Sequence, residues 1–175
     1  MNTIENGAPP AARLLDAIGG TPMIRLERIT NGIDAEIFAK LEFLNPFGSV
    51  KDRTVKHMIE AAERDGRIHP GDVIVENSSG NTALALAAVC AIKGYRLKIV
   101  IRDNLGEDKV KFLKAMNVDI VTADHTLPPE SPNSYNNLAT RIAAETPGAY
   151  YLDQHNNREN NAAHYSSTEI GRAHV

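Results

Sequence analysis

The chain has 175 residues, of which 42% are hydrophobic and 23% charged, and its net charge at pH 7 is -3. These values are ordinary for a globular protein with one good-sized domain or two small ones, and they give no basic surface for nucleic acid. No apolar run approaches the roughly 18 residues that a transmembrane helix needs, so we expect neither a membrane nor a nucleic-acid partner.

The single cysteine, Cys90, excludes an intrachain disulfide and fits a reducing compartment. It lies among alanines and a valine in a helical pattern, which is typical of a small buried hydrophobic residue. The first residues lack the basic and apolar regions of a signal peptide, and we therefore expect a cytoplasmic protein.

The first part of the chain predicts short elements separated by turns. We expect a loose arm over residues 1–12, a short helix over 13–18, and strands over 23–26 and 35–43. Gly19-Gly20 ends the helix, and Asn31-Gly32 is a turn signal between the two strands.

From residue 50 onward, helical and strand patterns alternate. The predicted helices cover residues 50–65, 82–93, 107–116 and 134–145, and the predicted strands cover 73–75, 97–101, 118–121 and 149–152. Strands separated by helices of this length indicate an α/β fold, with a parallel sheet and helices on both of its faces. Ligands bind at the carboxyl ends of the strands in such sheets, so the loops that follow strands are the candidate site.

The first candidate loop leads into the predicted helix at residues 50–65. Pro46 and Gly48 favour a turn, and Ser49 is a good N-cap. Lys51 then lies in the first helical turn, where the helix dipole disfavours an ammonium group. Two interpretations remain open: a solvated surface lysine, or a lysine whose neutral amine acts as a nucleophile toward an aldehyde.

The second candidate loop, residues 77–82, concentrates hydroxyl and amide side chains at the start of the next helix. Free backbone N–H groups there, with the Ser and Thr hydroxyls, suit a carboxylate or phosphate, although the same residues also serve as plain helix caps. Both loops join a strand to a helix, so we expect them to form opposite walls of one site. Residues 153–157 follow the last strand and reach the same edge, or form an Asn-rich turn.

Other familiar motifs are missing from the sequence. It contains neither a G-x-G-x-x-G dinucleotide motif nor a Walker A loop. Its six histidines show no spacing typical of a metal site, and we predict no bound metal.

Three short segments around the first candidate loop form a signature: Lys40-Leu41-Glu42, Asn45-Pro46 and Gly48-Ser49-Val50-Lys51-Asp52-Arg53. They resemble the cofactor-lysine signature of the cysteine synthase/cystathionine β-synthase family, pyridoxal-phosphate enzymes of fold type II. The segment from Ser78 to Thr82 is similar to the substrate-carboxylate loop of that family. The resemblance covers about residues 13–168, and three segments are more similar to cystathionine β-synthases than to standard cysteine synthases: Ser131-Pro132, 152–154 and 163–165.

The resemblance implies a tryptophan synthase β-like fold, of which this chain would be the N-terminal part. Lys51 would bind pyridoxal phosphate covalently and shuttle a proton, and Asn81 would hydrogen-bond the 3′-oxygen of the cofactor. The substrate α-carboxylate would be held by five residues: Ser78, Ser79, Gly80, Thr82 and Gln154. The implied reaction is β-replacement on serine or an O-activated serine by a sulfur nucleophile such as sulfide or homocysteine, which forms cysteine or cystathionine. A homodimer is the implied assembly.

Three positions depart from the pattern of the family. Phe47 stands where a small residue is common, Ser78 where threonine is common, and Ala83 where the family usually has glycine. The alternatives are another fold type II lyase or dehydratase, a diaminopropionate-forming synthase, and a non-catalytic truncated fragment.

The resemblance also implies domain boundaries. We expect residues 1–45 to supply the first strands of a larger cofactor domain, 46–148 a smaller α/β domain, and 149–168 a return into the larger one. In the family, the loop that holds the cofactor phosphate and the residue that faces the pyridine nitrogen lie downstream of the part that this chain resembles. Residues 169–175 match what a common sequencing adapter would encode, so we expect a non-native tail there. Because the phosphate loop and the residue facing the pyridine nitrogen lie downstream, we also expect weak cofactor binding by this chain alone.

Overall fold

The structure, a computed structural model, describes residues 13–170. The arm predicted for residues 1–12 and most of the predicted tail lie outside the described residues. The short helix expected over 13–18 is a 3₁₀ helix at Leu14–Ala17. Within the described range, no helix combines the length and apolar composition that crossing a bilayer requires.

A two-stranded antiparallel hairpin precedes the main sheet. Its strands are β1, Met23–Arg25, and β2, Phe38–Lys40. The strand predicted over 35–43 is confirmed only at Phe38–Lys40, and the chain then turns into a 3₁₀ helix at Glu42–Leu44. The Glu42 side chain is hydrogen-bonded to Arg53 and Thr21, and these contacts favour the turn over an extended chain.

The main sheet is built from four parallel strands: β3, Val73–Asn77; β4, Arg96–Arg102; β5, Asp119–Ala123; and β6, Ala149–Tyr151. Their order is β5-β4-β3-β6. Four longer helices accompany them: α1, Lys51–Arg64; α2, Asn81–Lys93; α3, Glu107–Ala115; and α4, Tyr135–Glu145. The predicted α/β fold with a parallel sheet is confirmed.

Helices cover both faces of this sheet. The larger core combines side chains of α1, α2, α3 and the sheet: Met58, Leu86, Leu113, Ile74 and Ile99. On the other face, α4 packs Ala139 against Val75 and Val100. Every residue of β3 is buried, as a central parallel strand with helices on both sides requires.

β3 is longer than the strand predicted at 73–75. Its last two residues continue the ladder, with Glu76 opposite Ile99 and Asn77 opposite Val100. Both polar side chains are buried, and each is hydrogen-bonded to a residue far along the chain. The polar sequence therefore predicts a loop at these positions, whereas distant partners stabilise a strand.

A helical segment follows the predicted turn at residues 153–157, at positions for which the sequence pattern predicts no element. α5, Arg158–Ala163, continues into a π-helical turn at His164–Thr168. Asn157 caps α5, because its Oδ1 accepts the Glu159 N–H at 3.1 Å. α5 packs on α1, where His57 Nε2 lies 3.0 Å from Glu159 Oε2.

β6 pairs in parallel with β3, with Ala149 opposite Val73. Residues 149–151 therefore lie in the same sheet as the strands of the middle block. We predict a return into a larger domain over 149–168, and this boundary stays a prediction, as do the others.

Candidate active site

Lys51 lies in the first turn of α1, and local hydrogen bonds fix that turn. Ser49 Oγ accepts the Lys51 N–H at 3.1 Å, so the serine hydroxyl satisfies a free N–H at the helix start, as predicted. Asp52 Oδ2 accepts the Phe47 N–H at 2.6 Å, which connects the preceding loop to the helix. Gly48 has a φ of 87°, a conformation that favours glycine, and this lets the chain turn just before the cap.

A largely buried ion pair holds the same turn in place. Arg53 Nε lies 2.7 Å from Glu42 Oε2 and Arg53 Nη2 lies 2.9 Å from Glu42 Oε1, while only 3% of the Arg53 side chain is exposed. Burial alone would raise the pKa of Glu42, but hydrogen bonds from Arg53 and Thr21 lower it to about 2. Arg53 Nη1 also donates to the Ser167 carbonyl at 2.5 Å, which attaches the π-helical turn to α1.

The π-helical turn brings His164 near the Lys51 amine. Burial lowers the pKa of His164, and the positive charges of Lys51 and Arg53 lower it further against the opposing charge of Glu42. Within residues 13–170, the structure shows no hydrogen bond or ion pair at Lys51 Nζ, and the side chain is half-buried. The amine is therefore open to a ligand. The only sequence signal for His164 is its place in the 163–165 segment of the resemblance.

α1 packs against α2. Close to the C-terminal ends of both helices, Lys93 Nζ of α2 lies 2.8 Å from Glu63 Oε2 of α1. Lys51 precedes Glu63 by twelve residues and Asn81 precedes Lys93 by twelve, so both helices extend by the same length from this contact to their N-termini. Packed helices lie about 8–10 Å apart, which puts the two predicted loops at one edge of the molecule.

The hydroxyls of Ser78 and Ser79 are both engaged within the protein. Ser78 Oγ accepts the N–H groups of Gly80 at 3.3 Å and Ala83 at 3.2 Å, and so satisfies an N–H in the first turn of α2, whose N-cap residue is Gly80. Ser79 Oγ accepts the Arg102 N–H at 3.1 Å, at the end of β4. The two hydroxyls order the loop, and their contact with a substrate carboxylate stays a prediction.

The start of α2 is open toward solvent. Asn81 is exposed, and none of the described hydrogen bonds involves its side chain. An added Cβ at Gly80 would meet no atom within 4 Å, so the backbone there is accessible to a ligand. This placement suits the cofactor and carboxylate roles that the sequence predicts for these two residues, which stay predictions.

Thr82 and Gln154 meet although they are 72 residues apart in the sequence, because Thr82 Oγ1 donates to Gln154 Oε1 at 2.6 Å. Gln154 in turn donates its backbone N–H to Glu76 Oε2 at 3.2 Å and its Nε2 to Glu76 Oε1 at 3.3 Å. Glu76 is fully buried, and burial raises its pKa to about 7, although the Gln154 hydrogen bonds lower it. No sequence signal separates Glu76 from the polar loop that follows it.

Two other features lie away from these residues. A cavity of about 530 Å³ opens at the amino edge of the sheet, near Arg96 and Asp119, and touches none of the predicted site residues. Asp103, Asp124 and His125 place their ligand atoms within 4.8 Å of one another, but all three side chains are exposed. Sequence spacing does not reveal that group, and the absence of a bound metal stays a prediction.

A family model and individual known proteins both match this chain. The family model described as pyridoxal-phosphate dependent enzyme matches residues 14–170. The chain is 42% identical over 171 residues to cystathionine beta-synthase of Saccharomyces cerevisiae, and this match covers 96% of this chain and 34% of that protein. It is 38% identical over 168 residues to cysteine synthase B of Salmonella typhimurium, which covers 96% of this chain and 51% of that protein.

A solved structure of O-ureido-L-serine synthase superposes on this chain with a TM-score of 0.80 and 34% sequence identity. The match covers 91% of this chain and 49% of that one. The chain thus spans between about a third and a half of the length of the relatives that it matches.

Proposed function

The chain belongs to the family of pyridoxal-phosphate-dependent enzymes, and on that premise we propose that it carries the cofactor lysine and the carboxylate loop of a β-replacement enzyme. The proposed substrate is serine or an O-activated serine, and the proposed products are cysteine or cystathionine. Similarity to a cystathionine beta-synthase and to a cysteine synthase supports this reaction. The observation that supports it in the structure is that Lys51 and Asn81 begin two helices that pack together and whose C-terminal ends are joined by the Lys93–Glu63 ion pair.

The described residues fit pyridoxal phosphate. Lys51 offers a primary amine to the aldehyde, Asn81 offers an amide to the ring oxygen, and Gly80 leaves open space beside the backbone. When bound, the cofactor supplies an electron sink for the charge that develops at the substrate Cα.

Lys51 has two roles in this proposal. Its amine would hold the cofactor, and as a free amine it would take the proton from the substrate Cα. Burial and the positive charges of Lys51 and Arg53 lower the pKa of His164, so a charged imidazole is disfavoured beside the Lys51 amine.

The start of α2 is the proposed site for the substrate α-carboxylate. Its backbone N–H groups and helix dipole favour an anion, and Thr82 and Gln154 add a hydroxyl and an amide beside them. Ser78, Ser79 and Gly80 complete the loop, with the two serine hydroxyls ordering its backbone.

The lysine assignment predicts a specific loss. Lys51→Ala in the full-length protein should abolish turnover and covalent retention of the cofactor, because it removes the amine that reacts with the aldehyde. The measurement is the absorbance of protein-bound cofactor after dialysis, together with product formation. Lys56→Ala is the matched control on the same helix, since its Nζ contacts the Leu15 carbonyl at 3.0 Å, and it should retain both. Covalent cofactor retained by the Lys51 variant would contradict the proposal.

The reaction is tested by pairing two donors with three acceptors. Serine and O-acetylserine are each incubated with sulfide, homocysteine or an amine acceptor, and the amino-acid products are identified by mass spectrometry. Cysteine or cystathionine supports the proposal, whereas a product with the amine alone would indicate a diaminopropionate-forming synthase.

A homodimer in the cytoplasm is part of the same proposal, and light scattering on the purified protein tests the dimer.

A further inference from the structure

Glu76 is a buried carboxyl group that the proposed reaction does not use. It lies at the end of β3 with no exposed surface, and within the described residues it forms no ion pair. Both of its oxygens face donors of one residue, the backbone N–H and the side-chain Nε2 of Gln154, at 3.2 and 3.3 Å. Gln154 Oε1 then accepts the Thr82 hydroxyl at 2.6 Å. Glu76, Gln154 and Thr82 thus form a hydrogen-bonded chain from the core to the start of α2.

Which residue donates and which accepts in these hydrogen bonds depends on the charge of Glu76. An ionised carboxylate only accepts hydrogen bonds, so it turns the nitrogen end of the Gln154 amide toward itself and the oxygen end toward Thr82. The single hydroxyl hydrogen of Thr82 is then donated to Gln154 and cannot be donated to a ligand.

Protonation of Glu76 permits the opposite direction. The proton on Oε1 can be donated to Gln154 Oε1, while Oε2 continues to accept the Gln154 backbone N–H. The Gln154 amide then presents its nitrogen to Thr82, which accepts from it. The Thr82 hydroxyl hydrogen becomes free to point at a ligand.

We propose that Glu76 is a positioning residue whose protonation reverses the Gln154 amide and so decides whether the Thr82 hydroxyl donates to Gln154 or to a substrate carboxylate. The identity of the ligand as an amino-acid carboxylate rests on the proposed function, whereas the hydrogen-bonded chain is a property of the described residues. The consequence is carboxylate binding that strengthens as the pH falls through neutrality.

The groups around Glu76 set its pKa close to neutral pH. Burial raises its pKa to about 7, the Gln154 hydrogen bonds oppose that rise, and the negative charge of Asp153 adds to it. The other titratable groups that face it are the phenols of Tyr135 on α4 and Tyr151 on β6, whose pKa values are raised and which are therefore neutral near pH 7. Both charge states of Glu76 are thus populated near neutral pH.

The test is the binding of 3-hydroxypropionate, which is serine without its amine, to the full-length protein loaded with pyridoxal phosphate. Isothermal titration calorimetry gives its dissociation constant between about pH 5.5 and about pH 8.5, a range in which the ligand stays ionised. The unmodified protein should bind it about 3- to 10-fold more tightly at the low end, as expected for one hydrogen bond gained. A dissociation constant that does not change with pH would overturn the inference.

Glu76→Gln mimics the protonated state, because its amide can accept the Gln154 N–H and donate to Gln154 Oε1. It should bind 3-hydroxypropionate tightly at every pH in the range. Glu63→Gln is the matched control: Glu63 contacts Lys93 and Tyr95 at the far end of α1, and this variant should keep the pH dependence of the unmodified protein.

Thr82→Val separates the hydrogen-bond chain from simple charge repulsion. Without the hydroxyl, the pH dependence should disappear, and adding Glu76→Gln should give no further gain in affinity. If the pH dependence persists in Thr82→Val, the Glu76 charge acts directly on the ligand and the inference is wrong. Because Thr82→Val leaves Glu76 and Gln154 intact, this arm decides the question even where Glu76→Gln folds poorly.

Turnover distinguishes this inference from the proposed function. If the protein converts a serine donor but binds 3-hydroxypropionate equally at all pH values, the proposed function is supported and the inference is wrong. If it shows the predicted pH-dependent binding but converts no serine donor, the inference is supported and the proposed function is wrong.

Discussion

Residues near one another in the sequence were the predictable part of the site. Ser49 Oγ accepts the Lys51 N–H and Ser78 Oγ accepts the Ala83 N–H, and each of these contacts joins residues no more than five positions apart. Glu76 and Arg53 could not be assigned in this way. Glu76 is hydrogen-bonded to Gln154, 78 residues away, and Arg53 to Glu42, Thr21 and Ser167, which lie 11, 32 and 114 residues away. Only the completed fold brings these residues together.

Arg53 is the residue whose loss should cost most stability at the site. Arg53→Met leaves the largely buried Glu42 carboxylate without its bidentate partner, and breaking a buried pair from one side costs about 3–5 kcal/mol. Urea unfolding of the full-length protein measures the change. Arg25→Met is the matched control, since its pair with Glu36 is exposed on both sides and should contribute less than about 1 kcal/mol.

A second variant separates the ion pair from the volume of the side chain. Glu42→Gln combined with Arg53→Met removes both charges, so it should be more stable than Arg53→Met alone. Equal stability of the single and the double variant would mean that packing by the Arg53 side chain, and not its charge, holds the turn.

At the scale of elements, the helices and strands with strong apolar patterns were predictable. The predicted helix at 82–93 and strand at 97–101 correspond to α2 and β4 within one residue at each end. α5 gives no such signal, because Arg158 to Asn161 are all polar and only Ala163 of this helix is buried. Its position depends on a cap and on contacts with α1, which a periodic pattern does not contain.

The cap of α5 predicts a local effect. Asn157→Ala removes the side chain that accepts the Glu159 N–H and donates to the Leu152 carbonyl, and loss of a cap costs about 1 kcal/mol. Amide hydrogen exchange over α5 should therefore become about 5-fold faster, as followed by mass spectrometry. Asn156→Ala is the control, because the Asn156 side chain contacts only the Asp153 carboxylate and is exposed. Equal exchange in the two variants would count against the cap.

At the scale of the whole molecule, the hairpin and the main sheet differ in how well they are covered. The sheet has a helix-covered core on both faces. The hairpin region instead exposes large apolar side chains, such as Ile24, Phe38 and Phe43, which are 47%, 49% and 65% exposed. This exposure supports the prediction that residues 1–45 supply strands to a larger domain. Sequence patterns identify apolar residues in strands, but they do not specify what covers them.

Two glutamates with shifted pKa values make the stability of the molecule depend on pH in opposite directions. Burial would raise the pKa of Glu42, but Arg53 and Thr21 lower it from 4.5 to about 2, so its contribution is present above pH 4.5 and is lost as the pH falls toward 2. Burial raises the pKa of Glu76 from 4.5 to about 7, so the folded state binds the extra proton between these values. The free energy of unfolding should therefore decrease as the pH rises from 4.5 through 7, and Glu76 contributes no further change once it is fully ionised above that pKa.

Urea unfolding at a series of pH values tests both signs. Glu76→Gln should remove the decrease between pH 4.5 and 7, whose slope for one proton is at most about 1.4 kcal/mol per pH unit, and it should leave the loss below pH 4.5 intact. Glu42→Gln should remove the loss at low pH and leave the decrease toward neutrality. A Glu76→Gln protein with an unchanged slope between pH 4.5 and 7 would mean that another group takes up the proton on folding.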